Sequence, residues 1–182
     1  MKEIGLKDKL KGEKLSSPNT LTGAAMLTAL YIILSVFTLK LSTTWELGFS
    51  FAALAVCGML YGPLVAGFVG AAGDIIGFFI SPNGFFFPGF TLSAFIMGFL
   101  YGLMLYKKPV SGKRVMAAVL VVMIVCNLIL TPIWLNMMYG TALIAAPRII
   151  RNVIMYPINS ALLYSVLKAL RSIRKTDAQT NR

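Results

Sequence analysis

Apolar runs of membrane-spanning length, separated by turn residues or short charged stretches, follow one another along the chain from about residue 20. A helix needs about 20 mostly apolar residues to cross a bilayer, and the pattern predicts spans at 20–39, 47–61, 63–80, 90–106, 114–136 and 145–170. The second is short: Trp45 and Glu46 mark its start, and Tyr61-Gly62-Pro63 makes a tight break before the third. In the third, Gly67, Gly70, Gly73 and Gly77, with Ala71 and Ala72, give small-residue faces on which helix backbones approach closely. The first carries Ala25 and Ala29 four residues apart, an AxxxA surface that suits another helix, either inside the bundle or on a partner.

Before the spans, residues 1–17 alternate lysines with Ile4, Leu6, Leu10 and Leu15 and lack a continuous apolar core. They predict an interfacial helix or a polar tail rather than a signal peptide. No repeat relates residues 1–90 to the remainder, which weighs against a carrier built from inverted repeats. The fold class expected is an all-α membrane protein: a basic segment over 1–19, a six-helix transmembrane bundle over 20–171 and a basic tail over 172–182.

Composition strengthens the membrane reading. The 182 residues are 58% hydrophobic and 13% charged, with a mean hydropathy of +0.80, against roughly 25% charged in soluble domains. A net charge of +11 would suggest nucleic acid if it were spread over a soluble surface. It is not spread: five lysines lie in residues 1–14, four basic residues in Lys107 to Arg114 and five in Lys168 to Arg182. Loops on the opposite side are nearly free of charge. Basic residues gather on cytoplasmic loops, so both termini are expected in the cytoplasm of a multi-pass cell-membrane protein that binds no nucleic acid. Histidine is absent and the two cysteines, Cys57 and Cys126, stand alone in apolar stretches. A Ser-His-Asp triad, a Cys-His pair and the usual zinc ligands are thereby excluded. No metal, cofactor or catalytic residue is expected, and the chain is read as non-enzymatic.

Three ionisable residues fall at bilayer depth, where charge is costly and marks function by default: Asp74, Arg148 and Arg151. At 1.5 Å per residue from Pro63, Asp74 lies about 17 Å into a core of about 30 Å. Arg151 lies roughly 9 Å below the outer start of the last span on the same count. The matched depths predict a shared, outward-opening cavity. Two arginines against one aspartate leave a cation that a ligand carboxylate would match. A structural alternative is a buried Asp74–Arg151 pair, with Arg148 reaching to the interface. On the last span Arg148, Arg151, Asn152, Met155 and Asn159 share one face. The fifth adds Asn127, Trp134 and Asn136, and Pro132 and Pro157 leave the carbonyls of Leu128 and Val153 without their usual helical donors. The outer segment from Ser81 to Phe90 holds Phe85, Phe86 and Phe87, which either dip into lipid or fold over a pocket and stack on a flat ligand.

These residues resemble a family, the substrate-binding S-components of energy-coupling factor (ECF) vitamin transporters, and within it the folate group. The resemblance covers nearly all of the chain after residue 20. It rests on Tyr61-Gly62-Pro63 leading to Gly73-Asp74-Ile75-Ile76-Gly77, on Asn83-Gly84 through Phe87-Pro88-Gly89-Phe90-Thr91-Leu92, and on Pro147-Arg148-Ile149-Ile150-Arg151-Asn152 with Met155 and Pro157. The family often has lysine where Arg151 stands. The resemblance implies a subunit that captures folate outside and joins a transmembrane T-component and two cytoplasmic ATPases, with Ala25 and Ala29 meeting the T-component. It implies that Asn83, Phe87 and Thr91 contact the ligand together with Asp74, Trp134, Asn136, Arg148, Arg151, Asn152 and Met155. Folate offers a pterin edge rich in N–H donors, flat rings and two carboxylates, for which Asp74, the aromatics and the arginines are complements. Arg151 alternatively holds Asp74, leaving Arg148 for the carboxylates. No G-x-x-x-x-G-K-[ST] run occurs, so ATP hydrolysis is expected in partner subunits. The rival readings are an autonomous carrier and an S-component for another carboxylate-bearing vitamin.

Overall fold

The computed structural model describes residues 17–36, 39–40, 46–82, 85–140 and 146–180. The basic segment 1–16, Trp45 and Asn83 lie outside the described residues. In chain order the elements are α1 (Pro18–Val36), β1 (Leu39–Lys40), β2 (Glu46–Leu47), α2 (Ser50–Tyr61), α3 (Pro63–Ile80), α4 (Pro88–Leu105), α5 (Gly112–Val122), a π-helical segment (Met123–Leu130), α6 (Thr131–Tyr139) and α7 (Ala146–Thr180). Among the described residues, five helical runs are long and apolar enough to cross a membrane: α1, α3, α4, the continuous run Gly112–Tyr139, and Ile150–Ser172 within α7. The 12-residue α2 is shorter.

The span expected over 63–80 coincides with α3, opened by Pro63 in its first turn, where a missing N–H costs nothing. The expected ends of the first two spans shift. Leu39 pairs with Leu47 and Lys40 with Glu46 in a two-residue antiparallel ladder, so residues read as the end of one helix and the start of the next form a small β connection. A chain leaving a helix must find partners for its backbone N–H and C=O groups, and strand pairing supplies them.

At the centre of the bundle is α2. Ala52 through Gly58 are all buried, and Leu54, Ala55 and Cys57 are sealed completely. A helix that is apolar on every side is one with neighbours on every side, and α2 packs against α1, α3, α4 and α7. Its turn into α3 needs glycine: Gly62 has φ 99°, donates to the Gly58 carbonyl at 3.2 Å and accepts from the Ala66 N–H at 3.1 Å.

The most extensive helix pair is α3 with α4, and glycine explains why. A Cβ on Gly70 would strike the Ala94 carbonyl, one on Gly98 the Ala66 carbonyl, and one on Gly102 the Pro63 Cα. The helices meet backbone to backbone along this seam. Gly67 and Gly73 instead make room for the rings of Phe95 and Tyr31. Outside the bundle, Leu21, Met26, Ile33, Phe79, Ile80 and Ile129 are exposed, an apolar surface that suits lipid and would be a liability in water. Near the basic loop, Lys108 Nζ donates to the Leu103 carbonyl at 2.7 Å, matching a cation to the carbonyl end of α4.

The fifth apolar run changes helical register midway. The Thr131 N–H reaches back five residues to the Cys126 carbonyl, and Thr131 Oγ1 donates to the same oxygen at 2.7 Å. Pro132, which has no N–H to give, follows at the point where the ladder has already widened. Gly140 closes α6 in the left-handed conformation, its N–H on the Asn136 carbonyl at 2.9 Å.

The seam makes a direct prediction. Gly98→Val sets side-chain carbon against a rigid backbone carbonyl, and is expected to cost at least about 1–3 kcal/mol. The detergent-purified variant should unfold several degrees below the parent in a thermal melt, and an unchanged midpoint would show that the seam is loose.

Candidate ligand-binding site

Asp74 stands near the end of α3, opposite Thr91 in the first turn of α4, because the glycine seam brings these two helices together. Thr91 Oγ1 donates to Asp74 Oδ2 at 2.8 Å. A carboxylate has about four lone-pair sites, so this bond fixes the group while leaving acceptor capacity free. Asp74 lines a cavity of about 300 Å³ whose walls include Phe78, Phe85, Phe86, Phe87 and Phe90, with Leu135, Met138 and Tyr139 contributed by α6. The aromatic side is a connected set: Phe86 lies 5.2 Å from Phe78 and stacks on Phe79 at 6.5 Å and 19°, and Phe87 meets Phe90 edge-on at 6.1 Å. All three outer phenylalanines border this cavity, while Phe85 remains 86% exposed.

Trp134 stands behind this wall. It does not line the cavity; its ring packs against Phe87 with centroids 5.8 Å apart, and its Nε1 donates to Ser93 Oγ at 2.9 Å.

A second, more polar cavity, of about 200 Å³, is bordered on α4 by Met97 and Tyr101. The face of α7 read from residue spacing reaches it as a unit: Arg151, Asn152, Met155 and Asn159 all line it. Tyr31 from α1, Ser50 and Phe51 from α2, Tyr101 from α4, and Asn127 from the π-helical segment also line it, together with apolar residues such as Met97, Val119 and Val122. Asn152 is 8% exposed, and its Nδ2 has no hydrogen-bond partner. A buried donor left unpaired costs about 1–3 kcal/mol, so this amide is a donor held ready for an acceptor.

The sequence-predicted residues fall into two neighbouring sets. Asp74 and Phe87 line the aromatic cavity; Arg151, Asn152 and Met155 line the polar one. Counting residues fixes depth along a helix but not the direction a side chain takes around it: Asp74 meets Thr91 of α4, and Arg151 shares its cavity with residues of α1, α2, α4 and α5. Thr91 acts through Asp74, Trp134 through Phe87, and Asn136 is exposed and lines neither cavity. The Arg148 side chain, like Asn83, lies outside the described residues. On α1, Ala25 and Ala29 are exposed beside Met26. Sequence reasoning missed Tyr31 and Ser93. Tyr31 lines the polar cavity, packs over Gly73 and lies within electrostatic reach of Asp74, so it stands between the two cavities. A tyrosine in an apolar span, polar at one end only, was the available signal; Ser93 gave none.

Comparison with known proteins agrees with this architecture. Residues 19–167 match the family model described as "ECF transporter, substrate-specific component". The chain is 38% identical over 152 residues to the folate transporter FolT of Clostridium novyi (strain NT), covering 82% of this chain and 88% of that protein. It is 37% identical over 151 residues to the folate transporter FolT of Leuconostoc mesenteroides subsp. mesenteroides, covering 79% and 81%. A solved structure, "Crystal structure of FolT bound with folic acid", superposes with a TM-score of 0.75 at 36% identity, over 81% of this chain and 92% of that one.

The unpaired amide yields a test that needs no ligand. Asn152→Leu replaces a buried orphan donor with a side chain of similar size and is expected to raise the thermal midpoint of the ligand-free protein, by about 1–2 kcal/mol in stability. A drop in midpoint would show that Asn152 is already satisfied.

Proposed function

The chain belongs to the substrate-specific components of ECF transporters, and on that premise we propose that it captures folate from outside the cell for ATP-driven uptake. It is a multi-pass membrane protein of the cell membrane. Two relatives above 35% identity are named folate transporters, and a structural neighbour is bound to folic acid. The observation that carries the ligand reading is the pair of cavities, one holding Asp74 among phenylalanines and the other, more polar, holding Arg151 and the unpaired Asn152 amide. Folate has a flat, donor-rich pterin at one end and a glutamate with two carboxylates at the other. The aromatic cavity with Asp74 suits the first: phenylalanine faces stack on the ring, and a carboxylate held by Thr91 accepts from its N–H groups. The polar cavity suits the second: Arg151 offers a planar, always-charged fork and Asn152 an unpaired N–H. Tyr31 stands where the middle of the ligand would pass. Arg148 and Asn83 are assigned to ligand contact as well, on the family resemblance.

Further parts of the reading follow from the family. The short α2 counts as a sixth span, the two termini lie in the cytoplasm beside the basic loop, and the helical bundle runs over 20–171 between basic segments 1–19 and 172–182. The subunit is non-catalytic and works with a transmembrane T-component and two ATPases. The exposed Ala25 and Ala29 of α1 form the flat surface that meets the T-component.

Folate titrated into the detergent-purified protein should bind one to one. Asp74→Ala and Arg151→Ala each remove a charge-assisted partner, a loss of about 1.5–3 kcal/mol, or roughly ten- to hundredfold in Kd. Unchanged affinity in both variants, with the thermal transition intact, would rule out the site. In vesicles, uptake should appear only when the other ECF subunits and ATP are added; uptake by the chain alone would favour an autonomous carrier.

A further inference from the structure

Ser93 has no direct part in either cavity, yet two separate parts of the fifth apolar run return to it. The Trp134 indole Nε1, on α6, donates to its hydroxyl at 2.9 Å, and the Cys126 thiol, in the π-helical segment, donates to its carbonyl at 3.7 Å. Ser93 is 8% exposed and the indole bond is partly buried, and a neutral hydrogen bond gains strength as solvent is excluded from it. Serine inside a helix ordinarily turns its hydroxyl toward its own backbone or solvent; here the hydroxyl oxygen accepts from another helix.

What this bond holds is the backing of the aromatic cavity. Trp134 packs on Phe87, and Phe87 lines the cavity. The space is made by Gly89, where a Cβ would strike the Phe87 ring and come within 2.6 Å of Trp134 Cδ2. Packing alone lets a flat indole slide or rotate against a flat ring. A single N–H bond at a fixed point removes that freedom, because Trp has no other polar atom to trade for it.

We propose that Ser93 is a positioning residue for ligand binding: by anchoring the Trp134 indole it fixes the angle of Phe87, and so the width of the slot into which a flat aromatic ligand fits. Ser93 touches no ligand itself. This rests on the aromatic cavity being the pterin end of the site. Loss of the anchor leaves the wall apolar but loose, and stacking then has to order the wall as well as the ligand.

The test uses the full chain carrying Trp45→Phe, which leaves Trp134 as the sole indole of the two in the sequence. Ser93→Ala should lower the anisotropy of Trp134 emission and weaken folate binding by roughly three- to tenfold, the loss of one neutral hydrogen bond. By calorimetry, Trp134→Phe should weaken binding to a similar extent, and adding Ser93→Ala to it should change nothing further, since the partner has gone. If Ser93→Ala is not monodisperse, Ser93→Cys, which keeps a weaker acceptor, should fall between the parent and the full loss. Unchanged anisotropy and affinity in the Ser93 variants overturns the proposal, as does full additivity with Trp134→Phe, and either leaves folate capture standing. Absence of folate binding by the parent and the Trp45→Phe chain alike would instead overturn the folate reading, and the anisotropy then decides the role of Ser93 alone.

Discussion

Asp74 reaches Thr91 across a helix interface only because the two helices touch backbone to backbone. A side chain larger than hydrogen at Gly70, Gly98 or Gly102 would strike the opposing main chain, and forcing α3 and α4 apart would carry the carboxylate away from the hydroxyl that holds it at 2.8 Å. In lipid there is no hydrophobic force to press helices together, so close packing between small residues has to do it. The same seam fixes the first turn of α4, and with it the phenylalanine segment that precedes Pro88. The aromatic cavity is thus a consequence of the glycine contacts, and its one acid is held by a neighbour those contacts provide.

The polar cavity is organised by a different constraint. Buried polar groups are costly unless they are paired, and Asn152 is buried on the face of α7 that also carries Arg151 and Asn159 into the cavity. Asn152 leaves a donor unused at 8% exposure. A protein that carries such a cost in its resting state has a use for it when the ligand arrives, in the way that functional sites elsewhere store unfavourable contacts against the stability of the scaffold. The two cavities differ in what they present: phenylalanines and one carboxylate in the first, Arg151 and the Asn152 amide in the second.

Much of this was legible before any coordinates. The limits of α3 follow from Tyr61-Gly62-Pro63 at one end and Ser81-Pro82 at the other, because proline and glycine act locally and their consequences do not depend on the rest of the fold. The one-sided face of α7 follows from helical periodicity, and the packing role of the α3 glycines from their size. What failed was what depends on azimuth and on long-range partners. Depth along an axis placed Asp74 and Arg151 level, yet they line separate cavities. Trp134 is polar and aromatic and so looked like a ligand contact, but the Ser93 hydroxyl that its indole bonds, 41 residues distant, could not be read from spacing. Asn136, counted inward, is exposed. The ladder that pairs Leu39 with Leu47 had no signature beyond an apolar run that ran slightly too long.

The central claim is that the two cavities read the two ends of one ligand, and it is tested most directly by a ligand with one end removed. Pteroate keeps the pterin and the benzoyl ring of folate but lacks the glutamate. Titrated by calorimetry against the parent, Asp74→Ala and Arg151→Ala proteins, it should lose affinity in the Asp74 variant and bind the Arg151 variant as tightly as the parent. If Arg151→Ala weakens pteroate as much as it weakens folate, the arginine does not serve the glutamate, and the division of the site is contradicted.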